Sequence, residues 1–209
     1  KARSRTPYVF VPAPFFDSCF ATQRFAFSTV FASAEDFMAR GGDFVLIHDV
    51  TTQWGVFALA GPKSRDILKD IVKDADPDTV LGNKRFPWLS MREIELGMCP
   101  VRAVRVAYTG ELGWELHHPI EMQRYLWDLL LAAGGKHGMK LVGARAQNWL
   151  RQEKSYRAFG TELGRDATPL EAGLDRFVDL SKDFHGKAAM EKTGTRVKCV
   201  TLLIDGPSD

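Results

Sequence analysis

Three runs of strand character follow one another almost without pause in the middle of this chain: Met91 to Leu96, Val101 to Tyr108, and Trp114-Glu115-Leu116. The second link is a turn at Thr109-Gly110. A parallel neighbour needs a crossover of about a dozen residues or more, so runs joined this closely must pair antiparallel. That excludes a doubly wound parallel sheet here and makes the helices partners of an antiparallel sheet.

Upstream, Val56-Phe57-Ala58-Leu59-Ala60 is another β-type run, and Gly61-Pro62 opens a helix with Pro near its first turn. Ile67, Leu68, Ile71 and Val72 give that helix one apolar stripe. Asp74 to Lys84, with Pro77 and Gly82, reads as a loop. The clearest helix runs from Ile120 to Ala133, where Met122, Tyr125, Leu126, Leu129 and Leu130 recur at helical spacing and Gly134-Gly135 forms the stop. A second spans Ala144 to Tyr156, with Trp149 and Leu150 inward. Phe159 to Leu180 is rich in turn residues, and Val197 to Ile204 reads as a last strand. Ahead of Trp54 the expectations are a strand at Arg24-Phe25-Ala26-Phe27, a short helix at Ala34 to Met38 capped by Ser33 and closed by Gly41-Gly42, and a strand at Val45-Leu46-Ile47. No element is assigned to the first twenty residues, whose Phe and Pro residues follow no period. The fold class is α+β, with antiparallel sheets and packed helices.

Composition removes several functions. The net charge is +2 and no long run of like charges occurs, so nucleic acid and anionic membrane are not expected partners. No apolar stretch is long enough for a membrane span. Cys19, Cys99 and Cys199 are far apart and odd in number, which argues against a disulfide framework. His117 and His118 are adjacent, His48, His137 and His185 stand alone, and no metal site is expected. The glycine-rich dinucleotide, P-loop and serine-hydrolase motifs are missing.

The segment Arg105-Val106-Ala107-Tyr108-Thr109-Gly110-Glu111-Leu112-Gly113-Trp114-Glu115-Leu116 resembles the R-x-x-Y-T-G-E-x-G-[FYW]-E-[LI] signature of the glycine cleavage T-protein, or aminomethyltransferase, family. Further pieces follow the family's order: Leu59-Ala60-Gly61-Pro62, Leu150-Arg151-Gln152-Glu153, Thr168-Pro169-Leu170-Glu171-Ala172 and Phe184-His185-Gly186-Lys187. Phe86-Pro87-Trp88 to Gly97-Met98, Gly110 to Trp114 and Glu153-Lys154-Ser155-Tyr156 are more similar to the folate region of sarcosine and dimethylglycine dehydrogenases than to the T-protein itself. The regulatory subunit of pyruvate dehydrogenase phosphatase shares the pattern. The iron–sulfur-assembly branch needs a K-G-C-x-x-G-Q-E motif that this chain lacks.

The resemblance, from about Arg24 to Ile204, implies part of a three-domain cloverleaf around a folate channel. Residues 1–51 would end a preceding α+β subdomain, 52–192 form the main folate-binding domain, and 193–209 begin a C-terminal β-barrel in a protein that continues further. Tetrahydrofolate is the implied cofactor, with FAD in a domain outside this chain. A pterin edge presents an amino group and a ring N–H side by side, which one carboxylate accepts together. By resemblance that carboxylate is Glu115. On its strand it points away from Trp114 and Leu116, which suit the core. Tyr108 matches a position lining the channel, where a ring packs on a flat ligand. Gln147 stands where the T-protein carries an Arg and offers a neutral hydrogen bond. Arg145, two residues earlier, is turned away on the helix by about 200°. Glu111 lies in the turn and reads as a solvated carboxylate, and Arg151 and Glu153 read as structural.

The resemblance implies capture of a one-carbon unit from sarcosine or dimethylglycine as 5,10-methylenetetrahydrofolate. Any residue assisting the transfer is expected upstream. The partners would be folate, a small methylamine, and a flavin domain or partner subunit, in a bacterial cytoplasm or the mitochondrial matrix. The alternative is a non-catalytic regulatory or interaction module on the same fold.

Overall fold

Strand β2, Trp54–Ala60, alternates buried and half-exposed residues, so Phe57 and Leu59 face a core while Val56 and Ala58 face the other way. This alternation repeats in β4 (Cys99–Val104) and β5 (Gly113–Pro119), and β3 (Met91–Leu96) contributes Leu96 to the core. The computed structural model describes residues 8–10, 50, 52–164, 166–184 and 186–202. The strand, helix and strand expected between Arg24 and Ile47 lie outside them. Among the described residues, β1 (Tyr8–Phe10) and β6 (Lys140–Val142) complete a six-stranded sheet of order β3-β4-β5-β2-β1-β6.

The fold class is α+β, and every pairing is antiparallel except β1 with β6. Glu115 lies opposite Val104 on one side and Ala58 on the other. On the sheet's inner face, helices α1 (Ser64–Lys69) and α3 (Gln123–Lys136) bury Ile67, Leu68, Leu126 and Leu130 against Leu59, Leu96, Trp114 and Leu116. Each such fully buried side chain contributes about 1.5–3 kcal/mol.

Several boundaries differ from the sequence reading, each for a local reason. The run to Tyr108 leaves the sheet after Val104, because the Val106 N–H turns back onto the Val104 carbonyl at 2.9 Å and Arg105 bonds to Ser90 instead. The stretch expected to be all loop holds a short helix α2, Pro77–Val80, since the Asp76 carboxylate accepts the Thr79 N–H at 3.1 Å and Pro77 starts the turn. Helix α3 passes through Gly134 and Gly135 and ends at Lys136. Its stop is Gly138 in the left-handed conformation, with the Met139 N–H on the Gly134 carbonyl at 2.9 Å. Strand β1 was not anticipated, because a three-residue strand carries no periodic signal.

The chain falls into two compact units, residues 1–148 and 149–209. Helix α4, Ala144–Glu153, stops short of Tyr156 as Ser155 turns left-handed and the Tyr156 N–H bonds back to the Arg151 carbonyl. Trp149 is not inward but 68 % exposed, and Arg151 takes the buried side. The second unit is held by charges. Arg151 donates to the Tyr156 carbonyl at 2.8 Å and to Glu162 at 2.9 Å, while the buried Glu171 accepts from the Thr168 N–H and from the backbone and side chain of Arg196. Residues 197–202 form no strand: Cys199 N–H is taken by the Glu171 carbonyl and its carbonyl by Arg157, leaving no ladder partner. A final helix, α5, spans Lys187–Thr193.

Candidate functional site

The signature segment is a turn clamped between two strands. Gly110 takes a left-handed conformation, and the Leu112 carbonyl accepts the Gly61 N–H at 2.7 Å. Buried Ser64 ties both sides together, its hydroxyl lying 2.6 Å from the Gly61 carbonyl and 3.1 Å from the Leu112 carbonyl. At Gly113 any side chain would collide with Ala107 and with the Leu59 carbonyl, 2.7 Å from where a Cβ would stand. Two stretches that are far apart in sequence are thereby held side by side.

Beneath the turn, Trp114 is fully buried with the guanidinium groups of Arg65 and Arg105 at 5.8 and 6.0 Å from its ring. Burial, and secondarily the charge of Arg65, lower the pKa of Arg105, which also donates to the Phe86 carbonyl. Arg105 therefore braces the signature strand from below and is not part of an open site.

Above the turn, the outward face of β2 and β5 forms a small pocket. Glu115, Tyr108 and Gln147 all line it, together with Ala58, Ala60, Val106, Thr109 and Val142. Three residues separated in sequence thus converge. The space within it is small, about 30 Å³. Among the described residues of the lining, Glu115 is the one charged side chain. Its carboxylate stands 3.5 Å from Nε2 of His117, and the two side chains are 40 % and 21 % exposed. The pocket suits a ligand edge rich in N–H donors and disfavours an anionic one.

Other sequence expectations turn out differently. Glu111 is half-buried and engaged, not a solvated carboxylate. Arg151 does serve structure, but its partner is Glu162; Glu153 is exposed. His117 was passed over because adjacent histidines suggest opposite faces and no shared metal, which hides that its own face is the one Glu115 uses. Among the described residues no group of three or more His, Cys, Asp or Glu is arranged to hold a metal ion, and no helix is long and apolar enough to cross a membrane. A larger groove of about 590 Å³ runs past Trp54, Arg92 and Arg102 and contains none of the three site residues.

The model of the GCVT N-terminal domain matches residues 18–182. Mitochondrial dimethylglycine dehydrogenase of Rattus norvegicus is 39 % identical over 178 residues, covering 82 % of this chain and 20 % of that protein. Mitochondrial sarcosine dehydrogenase of Mus musculus is 38 % identical over 162 residues, covering 75 % of this chain and 17 % of that protein. An aminomethyltransferase of Chlorobium luteolum is 38 % identical over 148 residues, covering 70 % of this chain and 39 % of its own length. The chain thus spans about a fifth of the length of the dehydrogenases it matches.

Proposed function

We propose that this chain, which belongs to the GCVT N-terminal domain family, binds the pterin edge of tetrahydrofolate against Glu115 within an enzyme that captures a one-carbon unit from a methylamine. The observation that carries this reading is the convergence of Glu115, Tyr108 and Gln147 on one pocket, where Glu115 is the single charge among the described lining residues. Glu115 would accept the amino and ring N–H groups, Tyr108 would pack against the ring, and Gln147 would add a neutral hydrogen bond. Bound tetrahydrofolate supplies the nitrogen that takes up the one-carbon unit. The protein's part is to fix that ring and shield it from water. Sarcosine or dimethylglycine is the proposed one-carbon source, oxidised in an FAD-bearing domain or partner subunit, in the mitochondrial matrix or a bacterial cytoplasm. Residues 52–192 would be the main folate-binding domain of a cloverleaf whose neighbours are the subdomain ending at residue 51 and the barrel beginning at 193.

A second reading, a binding module without turnover, has one observation in its favour: among the described residues, no second carboxylate and no histidine line the pocket. Formation of 5,10-methylenetetrahydrofolate from formaldehyde and tetrahydrofolate, no faster with the protein than without it although folate binds, is its expected signature.

The test is calorimetric titration of 5-formyltetrahydrofolate, which keeps the pterin donors and resists oxidation. Glu115→Gln replaces carboxylate acceptors with a carbonyl and an NH₂ facing donors, and the expected loss is about 2 kcal/mol, or roughly 30-fold in Kd. Glu121→Gln, on the exposed start of the helical segment after β5, should change Kd by less than about twofold. Equal weakening by both would indicate diffuse electrostatics and overturn the assignment.

A further inference from the structure

Beyond the three residues of the pocket, the sheet places a fourth side chain against the carboxylate that the folate reading depends on. Glu115 and His117 are two apart on β5 and share its outward face, because Trp114, Leu116 and His118 are all buried on the other side. Nε2 of His117 lies 3.5 Å from Oε2 of Glu115. His117 is itself set by its neighbours: it lies opposite Val56 on β2 and opposite Arg102 on β4. Arg102 is drawn the other way, donating to Glu93 at 3.1 Å and lying 4.7 Å from the Trp54 ring. With Arg102 so occupied, His117 is the ion-pair neighbour of Glu115 among the described residues. One carboxylate oxygen, Oε2, faces the imidazole, and Glu115 also lines the pocket.

We propose that His117 is a positioning residue for Glu115: by holding Nε2 beside Oε2 at ion-pair distance it favours the rotamer in which the carboxylate presents an edge to a ligand rich in N–H donors. This rests on the folate reading for the identity of the ligand, but the pairing itself does not. The imidazole must carry its hydrogen on Nε2, as either the neutral tautomer with that arrangement or the cation. A glutamine at this position carries an amide N–H at nearly the same reach, whereas an alanine removes the donor.

Two measurements on the full chain test the proposal. In titrations of 5-formyltetrahydrofolate, His117→Ala should raise Kd about three- to fivefold, the scale of a partly exposed charged pair, and His117→Gln should stay within about twofold of the parent. In a Glu115→Gln background the effect of His117→Ala should shrink below about twofold, since the group it positions is gone. A loss that persists undiminished in that background, or the same loss with His117→Gln, means a structural role and overturns the proposal. If the parent shows no binding, the folate reading fails. The pairing is then judged by nuclear magnetic resonance without ligand at neutral pH. His117 ring resonances that move with Glu115→Gln, but not with Glu121→Gln, uphold it; unmoved resonances overturn it.

Discussion

At the scale of single residues, the signature segment separates into positions that touch the pocket and positions that build it. Glu115 and Tyr108 line it, while Gly113 exists to let β5 approach β2. Gly113→Ala pushes a methyl against the Leu59 carbonyl and Ala107, so stability should fall by about 2–3 kcal/mol in urea unfolding with folate affinity reduced in step. Glu115→Gln should show the opposite pattern, with affinity lost and the unfolding midpoint nearly unchanged. The outward direction of Glu115 was legible from strand alternation alone. The close approach at Gly113 was not, because it is set by Leu59, Ala60 and Ala107 from other parts of the chain. Exposed Trp149 was misread for a similar reason. An apolar side chain on a short helix invites burial, but the buried position went to Arg151, whose partner Glu162 lies beyond the helix, eleven residues on.

At the scale of elements, the helix and strands with regular periods were readable and those defined by distant partners were not. Helix α3 and strands β2, β3 and β5 announce themselves in their apolar spacing, whereas β1 and the charge-held second unit do not. The two units also answer to acid in different windows. In the first, burial pushes the pKa of His118 down, only partly offset by its bond to the Leu116 carbonyl, with His117 lowering it further. A histidine kept neutral in the fold but free to charge when unfolded gives its full contribution above about pH 6.5, lost as pH falls below that value. In the second, burial resists ionisation of Glu162, but the Ala158 N–H, the Thr161 hydroxyl and Arg151 hold its carboxyl down to about 2. Arg196 and the Thr168 N–H likewise hold Glu171 well below the usual range. A depressed carboxylate stabilises above its unfolded pKa and ceases to do so as pH falls from about 4.5 toward 2. Hydrogen exchange read by mass spectrometry should therefore show peptides around β5 loosening below about pH 6.5, and peptides from 156–199 keeping their protection until about pH 4.5. Coincident loss in both would contradict the assignment.

At the scale of the whole molecule, the described surface exposes large apolar side chains in both units. Trp88, Leu89, Met91 and Met98 are exposed in the first unit, and Phe177, Val197, Val200 and Leu202 in the second. Leu89 even holds a left-handed backbone, with its N–H on the Arg105 carbonyl. Apolar surface of this kind drives association. Sedimentation equilibrium should show the 23.4 kDa chain self-associating as concentration rises, and a strictly monomeric profile at all concentrations would refute this. The placement of β1 has another consequence, one of timing. Tyr8–Phe10 are made before both of their partners, yet they lie between Ala58–Ala60 and Lys140–Val142, the second of which comes much later. Closing such long loops is slow and must precede the contacts that reward it. During synthesis the first strand waits without its second neighbour until Val142 emerges, and Val142 and Gln147 are walls of the pocket. The pocket is therefore among the last features of the first unit to form, and a nascent chain halted before residue 142 has the signature turn but no complete pocket around it.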